Sequence, residues 1–363
     1  MAKRSSRRDF LNGTAAADAL SETIRAAVPT PDPLLLPDSE HHICLARKAM
    51  ACDFEVRLNP KRFPQGMESA LDALDIVTDL GRRWSFFLED SEVARINALA
   101  GSEPVFIADD LFEVLELARR ISAETQGAFD ITSAPLLEVW GFSRREGRMP
   151  HESALAAALE RVGMDLIELD HQRRTIRFLK PGVRINLGSI GKGWAVDRAG
   201  DRLVADGVGT FLIHGGNSSV LARSLPPDAQ KERTPRSDWE IGLGHPLRRG
   251  ERLLSLKLEN TALGTSGSAH QFFMHQGRRL GHVIDPRTGR PTDRVLSVTV
   301  FAPTAVEADA LATAFFVLGP EKGEEYCLAH TDIGMIFVPA PSKAGPLEVL
   351  KVGRCPIKSD VGE

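Results

Sequence analysis

Asp309 and Thr313 stand four residues apart in Ala308-Asp309-Ala310-Leu311-Ala312-Thr313-Ala314, a run otherwise made only of apolar side chains. On a helix this spacing places a carboxylate and a hydroxyl on one face, with Cβ atoms about 5–6 Å apart. A carboxylate in such company is costly unless it is hydrogen-bonded, paired or bound to a cation, and oxygen donors of this kind suit Mg²⁺ better than Zn²⁺. On the helix alone, a cation and a hydrogen bond to a neighbouring loop account for Asp309 equally well. A second candidate is Gly188-Ser189-Ile190-Gly191-Lys192-Gly193. A glycine-rich turn opening a helix presents backbone N–H groups at the positive helix end, where a phosphate fits, and Lys192 adds a full charge. It is not a Walker A loop, which needs four residues between Gly and Gly-Lys and then Ser or Thr. Taken alone, a tight turn with glycines for helix packing is the plainer account. The third is Gly281-His282-Val283-Ile284-Asp285-Pro286-Arg287-Thr288-Gly289. Asp-Pro-x-x-Gly is good turn chemistry and explains residues 285–289. It does not explain His282; an imidazole is able to take a proton from an attacking hydroxyl, although a lone histidine is more often structural than a base.

These residues need elements to carry them. Thr304 and Glu307 have capping-box spacing and Gly319 sits where a helix should end, so Asp309 and Thr313 are expected on one helix between them. The glycine-rich turn is expected to join a strand ending at Leu187 to a helix that stops before Gly207. Upstream, the patterns predict a strand at Cys52–Leu58 and helices at 67–84, 111–124 and 154–162. Strands at 166–169 and Thr175–Phe178 then flank a turn at 171–173. Further strands are expected at 210–214, 239–243, 253–258, 296–302 and 333–338. Mixed hairpins and crossovers of this kind predict an α/β body, α+β mixed, with a cleft and no internal repeat.

Composition narrows the function classes. The 363 residues are 42% hydrophobic and 26% charged, within the range of ordinary globular proteins. A formal charge of −4 gives no basic excess with which to displace phosphate counterions, so nucleic acid is not an expected partner. Cys44, Cys52, Cys327 and Cys355 show no C-x-x-C spacing and therefore no zinc frame. The first forty residues differ from the rest. Ser6-Arg7-Arg8-Asp9-Phe10-Leu11 has the twin-arginine export pattern, but Asn12, Asp18, Glu22 and Arg25 interrupt the apolar run that should follow. A working signal implies the periplasm or cell envelope; a polar tail implies the cytoplasm. No lipobox cysteine is visible, and no run reaches the roughly 18 apolar residues of a membrane span. The expected organisation is a tail with a Pro-rich linker at 1–40, one folded domain at 41–345 and a C-terminal tail at 346–363.

Taken together the segments resemble the ApbE family, the FAD:protein FMN transferases. The resemblance runs from about residue 46 to 323. It rests on SFFLEDSEVARIN at 85–97, FDITSAPLLEVWGF at 129–142, NLGSIGKGWAVDR at 186–198, Gly215-Gly216-Asn217, Thr265-Ser266-Gly267, the turn at 282–289 and the helix at 308–314. It implies an ApbE-like two-lobed fold with FAD in the cleft between lobes and Mg²⁺ at the pyrophosphate. The implied reaction passes FMN from FAD to a threonine or serine hydroxyl of an acceptor flavoprotein and releases AMP; one kind of acceptor is a subunit of a membrane redox complex. It also implies metal ligation by the main-chain oxygen of Ser189 and the side chains of Asp309 and Thr313. Flavin contacts are implied from Met50, Phe87, Ala128, Phe129, Asp130, Asn186, Lys192 and Ile284, and a catalytic base at His282.

The sequence departs from the family pattern in three places. Met50-Ala51-Cys52 replaces Met-Gly-Thr, Asn186 stands where Asp is usual, and Phe87 takes a position commonly held by Tyr. Two rival functions share the same residues. A FAD pyrophosphatase would let water attack, and a non-catalytic FAD-binding protein would need no base such as His282.

Overall fold

The computed structural model describes residues 42–224, 239–268, 272–341 and 347–358. The expected tail and twin-arginine segment lie outside them. The chain opens with β1 (Ile43–Ala49) and β2 (Cys52–Leu58), then α1 (Gly66–Arg83), α2 (Glu92–Leu99), β3 (Val105–Phe106), α3 (Asp109–Glu124), α4 (Ala134–Val139), α5 (Glu152–Leu159), β4 (Ile167–Asp170), β5 (Thr175–Phe178) and α6 (Gly191–Ala205). The strands β6 (Thr210–Gly215), β7 (Ser219–Ser224), β8 (Trp239–Gly244), β9 (Arg252–Leu258) and β10 (Thr261–Gly267) follow. Last come β11 (Phe272–His275), β12 (Arg278–Gly281), β13 (Ile284–Asp285), β14 (Arg290–Pro291), β15 (Val295–Ala302), α7 (Ala305–Leu318), α8 (Pro320–Ala329), β16 (Gly334–Pro339) and β17 (Leu350–Gly353).

Eight strands form one sheet in the order β1-β2-β6-β7-β10-β15-β16-β17, with every neighbouring pair antiparallel. Strand side chains alternate between faces, so the sheet has a core on each side. Phe54, Val56, Leu58, Ile213, Val298, Val300, Met335 and Phe337 point to a core that includes α1, α6 and α7. Leu212, Val220, Leu263, Phe301 and Ile336 point the other way, onto Trp239, Ile241, Leu256 and Leu258 of the β8–β9 hairpin. Fully burying one such side chain contributes about 1.5–3 kcal/mol. A small sheet, β3-β5-β4, and a satellite core of Leu136, Trp140, Phe142, Leu155 and Ile284 complete the body. The mixed class expected from the sequence is thus present, on its antiparallel, α+β side.

Two expectations need correction. Residues 184–187 form no strand. The Asn97 side chain occupies both backbone groups of Ile185, and the Asn186 N–H donates to the Ile131 carbonyl, so this extended segment is tied to loops instead of a ladder. The segment 346–363, expected as a tail, supplies β17, which pairs with β16 as the last strand of the main sheet. Ile357 also bridges to Leu256. The helix expected between Thr304 and Gly319 is present within those limits. Thr304 is its N-cap, accepting from the Glu307 N–H, and Gly319 ends it with φ +89°. Among the described residues no helix is long and apolar enough to cross a membrane.

Candidate functional site

Asp309 is buried, 6% exposed, on the face of α7 that lies against β10 and the start of α6. Two glycines permit this approach. A Cβ at Gly264 would stand 2.4 Å from the Ala308 carbonyl oxygen and 2.5 Å from the Asp309 nitrogen, and one at Gly193 would meet the Ala305 carbonyl oxygen at 2.2 Å. The Asp309 carboxylate is closely held. Its Oδ2 accepts from the Gly193 N–H at 2.8 Å, the Ser219 hydroxyl donates to it within 2.7 Å of Oδ1 and 2.8 Å of Oδ2, and Lys192 Nζ lies 3.8 Å from Oδ2. Of the two accounts open at the sequence level, the hydrogen bonds are present, from Gly193 and Ser219, with the Lys192 ammonium beside them. Desolvation pushes its carboxyl above the usual range, against the lowering pull of Lys192, Ser219 and Gly193. A bound divalent cation would pull in the same direction as Lys192.

Thr313 follows one turn later. Its hydroxyl lies 3.0 Å from Ser266 Oγ and 3.3 Å from the Asp309 carbonyl oxygen. Ser189 precedes the first turn of α6. The Gly191 N–H reaches back to the Leu187 carbonyl at 2.7 Å and the Trp194 N–H to the Ile190 carbonyl at 3.1 Å, while the Gly193 N–H, which would meet the Ser189 carbonyl in a regular helix, donates to Asp309 instead. Asp309, Thr313 and Ser189 thus offer only oxygen donors. Among the described residues no three His, Cys, Asp or Glu side chains are placed to hold a metal, so a cation here would rest on one carboxylate with hydroxyl and main-chain oxygens.

His282 is half-buried between β12 and β13. A Cβ at its neighbour Gly281 would stand 3.2 Å from Ser268 Cβ, and Ser268 lies two residues beyond the Ser266 that meets Thr313. The turn after it is firmly built. Asp285 accepts from Arg287 both at the main chain and through a two-pronged side-chain pair at 2.9 Å, and Trp140 Nε1 donates to the Gly289 carbonyl at 2.7 Å. Ile284 is buried in the satellite core beside Trp140.

The remaining candidates border this region. Asn186 Oδ1 accepts from the Gly188 N–H at 2.8 Å and so shapes the glycine-rich turn, a task an aspartate would also perform. Ala128 and Phe129 are buried, and Asp130 accepts from Thr132, its carboxyl pushed up mainly by burial. Met50 and Ala51 form the two-residue loop of the β1–β2 hairpin, with φ +48° and +61°, and Met50 sits against Gly81 of α1. Cys52, where the family pattern has Thr, is near enough to feel Lys192 and Asp309, but burial pushes its thiol to about 11 and it stays neutral. Phe87 is 72% exposed, its ring set edge-on to that of Phe86. A surface groove of about 740 Å³ between α1 and α2, lined by Arg82, Arg83, Glu92 and Arg95, contains none of these residues.

The family model described as the ApbE family matches residues 50–337. The chain belongs to the ApbE family. A protein named FAD:protein FMN transferase from Haemophilus influenzae is 31% identical over 314 residues, covering 81% of this chain and 88% of its own. One of the same name from Treponema pallidum is 34% identical over 259 residues, 69% of this chain and 71% of its own. The crystal structure of Pseudomonas stutzeri flavinyl transferase ApbE superposes with a TM-score of 0.73 at 27% identity, over 86% of this chain and 95% of that one.

Membership in the ApbE family gives the quoted motifs a common address, but sequence reasoning overlooked partners that the geometry shows. Ser219 lies just past the quoted Gly-Gly-Asn motif, and a serine among strand residues carries no visible cost. Ser266 stood inside a quoted motif without a role. Asp197 stood inside another quoted motif, at 186–198, and it did carry a signal: Gly193, Asp197 and Gly200 share one helix face, so a charge sits on a stripe of glycines, where close packing is expected.

Proposed function

We propose that this protein transfers the FMN half of FAD onto a threonine or serine hydroxyl of an acceptor flavoprotein, with Mg²⁺ at the pyrophosphate and AMP as the leaving group. The observation that carries the reading is the buried Asp309 carboxylate, clasped by Ser219 and the Gly193 N–H with Lys192 at 3.8 Å, at the start of a glycine-rich helix. A carboxylate and an ammonium at the start of a glycine-rich helix support a reading in which phosphate charge lies beside a hard cation. Bound Mg²⁺ would neutralise negative charge on the pyrophosphate and polarise the phosphoryl oxygens.

In this reading Asp309, Thr313 and the Ser189 carbonyl hold the metal, and Lys192 pairs with phosphate oxygen. His282 takes the proton of the acceptor hydroxyl as its oxygen bonds to the FMN phosphorus; the P–O bond to the AMP phosphate breaks, and AMP leaves with the electron pair. Met50, Phe87, Ala128, Phe129, Asp130, Asn186 and Ile284 are assigned to the flavin. The exposed Phe87 ring suits stacking, without the hydroxyl a tyrosine would bring. The acceptor needs an exposed hydroxyl residue, as on a subunit of a membrane redox complex.

Intact-mass spectrometry of a threonine-bearing acceptor, incubated with FAD, Mg²⁺ and the enzyme, tests this. Attached FMN is expected, with transfer abolished in a folded Asp309→Ala because a lost metal ligand removes several kcal/mol of charge stabilisation. Free FMN and AMP with an unmodified acceptor would make the protein a pyrophosphatase; intact FAD would make it a carrier.

A further inference from the structure

The two helices that carry the site cap each other. Asp309, from the second turn of α7, accepts from the Gly193 N–H in the first turn of α6 at 2.8 Å. In return Asp197, from the second turn of α6, accepts from the Ala305 and Val306 N–H groups, the first two of α7, through Oδ1 and Oδ2 at 2.8 Å each. The first N–H groups of a helix have no partner within it, and a carboxylate there also meets the positive end of the helix dipole. Here each helix receives that carboxylate from the other. Asp197 is buried, 6% exposed, and no side chain separates the helices at Gly193, which abuts the Ala305 carbonyl. The usual cap is present as well, since Thr304 takes the Glu307 N–H. Asp197 therefore does what Thr304 does not: it ties the first turn of α7 to α6.

We propose that Asp197 is a positioning residue for the transfer reaction. By holding α7 to α6 it sets the reach between Lys192 on one helix and Asp309 and Thr313 on the other, and with it the Mg²⁺ affinity of the site. This rests on the metal reading given above. The Asp197 carboxylate touches neither metal nor substrate in this scheme. It fixes the elements from which the ligands project, as the outer partners of a metal site do.

The test compares wild type, Asp197→Ala, Asp197→Asn and Thr304→Ala at pH 8 and well below their melting temperatures. The readout is the Mg²⁺ concentration that half-saturates binding in the presence of FAD, followed by calorimetry, with melting temperature measured alongside. Asp197→Ala should raise the half-saturating Mg²⁺ about 10- to 100-fold. Asp197→Asn, which keeps one acceptor oxygen, should fall between it and wild type, and serves alone if the alanine variant does not fold. Thr304→Ala removes a cap from the same helix without touching α6, so it should lower the melting temperature and leave Mg²⁺ binding unchanged. An unchanged Mg²⁺ requirement in the folded Asp197 variants, or an equal shift in Thr304→Ala, would reduce Asp197 to an ordinary helix cap. A wild-type protein indifferent to Mg²⁺ would instead overturn the metal reading, and this proposal with it.

Discussion

Removing a base slows proton transfer without loosening what the site holds. His282→Ala should therefore keep FAD affinity within a few-fold while slowing single-turnover transfer by about 10²- to 10⁴-fold. Lys192→Ala should weaken FAD binding and slow the reaction together, because its ammonium would meet phosphate charge before and during transfer. FAD fluorescence quenching beside single-turnover kinetics separates the two. Lost binding in a folded His282→Ala, with normal transfer at saturating flavin, would make His282 a binding residue. Residues of this kind were legible where they broke a local rule. Asp309 and Thr313 stand out because the rest of their helix is apolar, and His282 because the turn beside it needs no histidine. Ser219 was not legible: its hydroxyl contacts a residue 90 positions away, and nothing in its own neighbourhood records that distance.

At the scale of single elements, the β1–β2 loop shows what a departure from the family pattern does locally. Both loop residues have positive φ, the geometry of a two-residue hairpin turn that favours Asn and Gly, yet the sequence supplies Met50 and Ala51. A side chain in the left-handed region costs about 1–2 kcal/mol, part of which glycine gives back as backbone entropy in the unfolded chain. Ala51→Gly is expected to raise unfolding free energy by about 0.5–1 kcal/mol, read as a shifted urea midpoint at constant slope. An unchanged or lowered midpoint would mean that the Ala51 methyl makes compensating contacts. Elements with strong periodicity or caps, such as α1, α3 and α7, were readable. The strand expected at 184–187 was not real because an extended segment looks the same whether a ladder or a loop satisfies it. Conversely, β10 reads TALGTSG, and its glycines and hydroxyls hide a central strand. Gly264 is there so that α7 can lie flush against the sheet, a demand visible only after the two are packed.

Across the whole molecule, the order of the eight strands is the least legible feature. It joins β10 to β7 and β15 and brings β17 to the far edge through contacts that no local pattern encodes. That packing also creates the electrostatic condition of Asp197. Burial pushes its carboxyl to about 7, against the lowering effect of the Ala305 and Val306 N–H groups and of Arg198 and Arg223. The folded chain therefore holds this proton over a range where the unfolded chain, with an ordinary carboxyl near 4, has released it. The sign follows directly. The contribution of this group to stability is complete below the unfolded value and is lost as pH rises through about 7. Asp197→Asn cannot titrate, so the stability of wild type minus that of Asp197→Asn should fall between pH 4.5 and pH 8, by on the order of a few kcal/mol. Urea unfolding of both proteins at the two pH values, without metal or flavin, measures the difference. A constant difference would show that the two N–H groups fully offset burial and that Asp197 titrates as an exposed carboxylate does, while a rising one would place its folded value below the unfolded one and make the α6–α7 clasp strongest where the carboxylate is ionised.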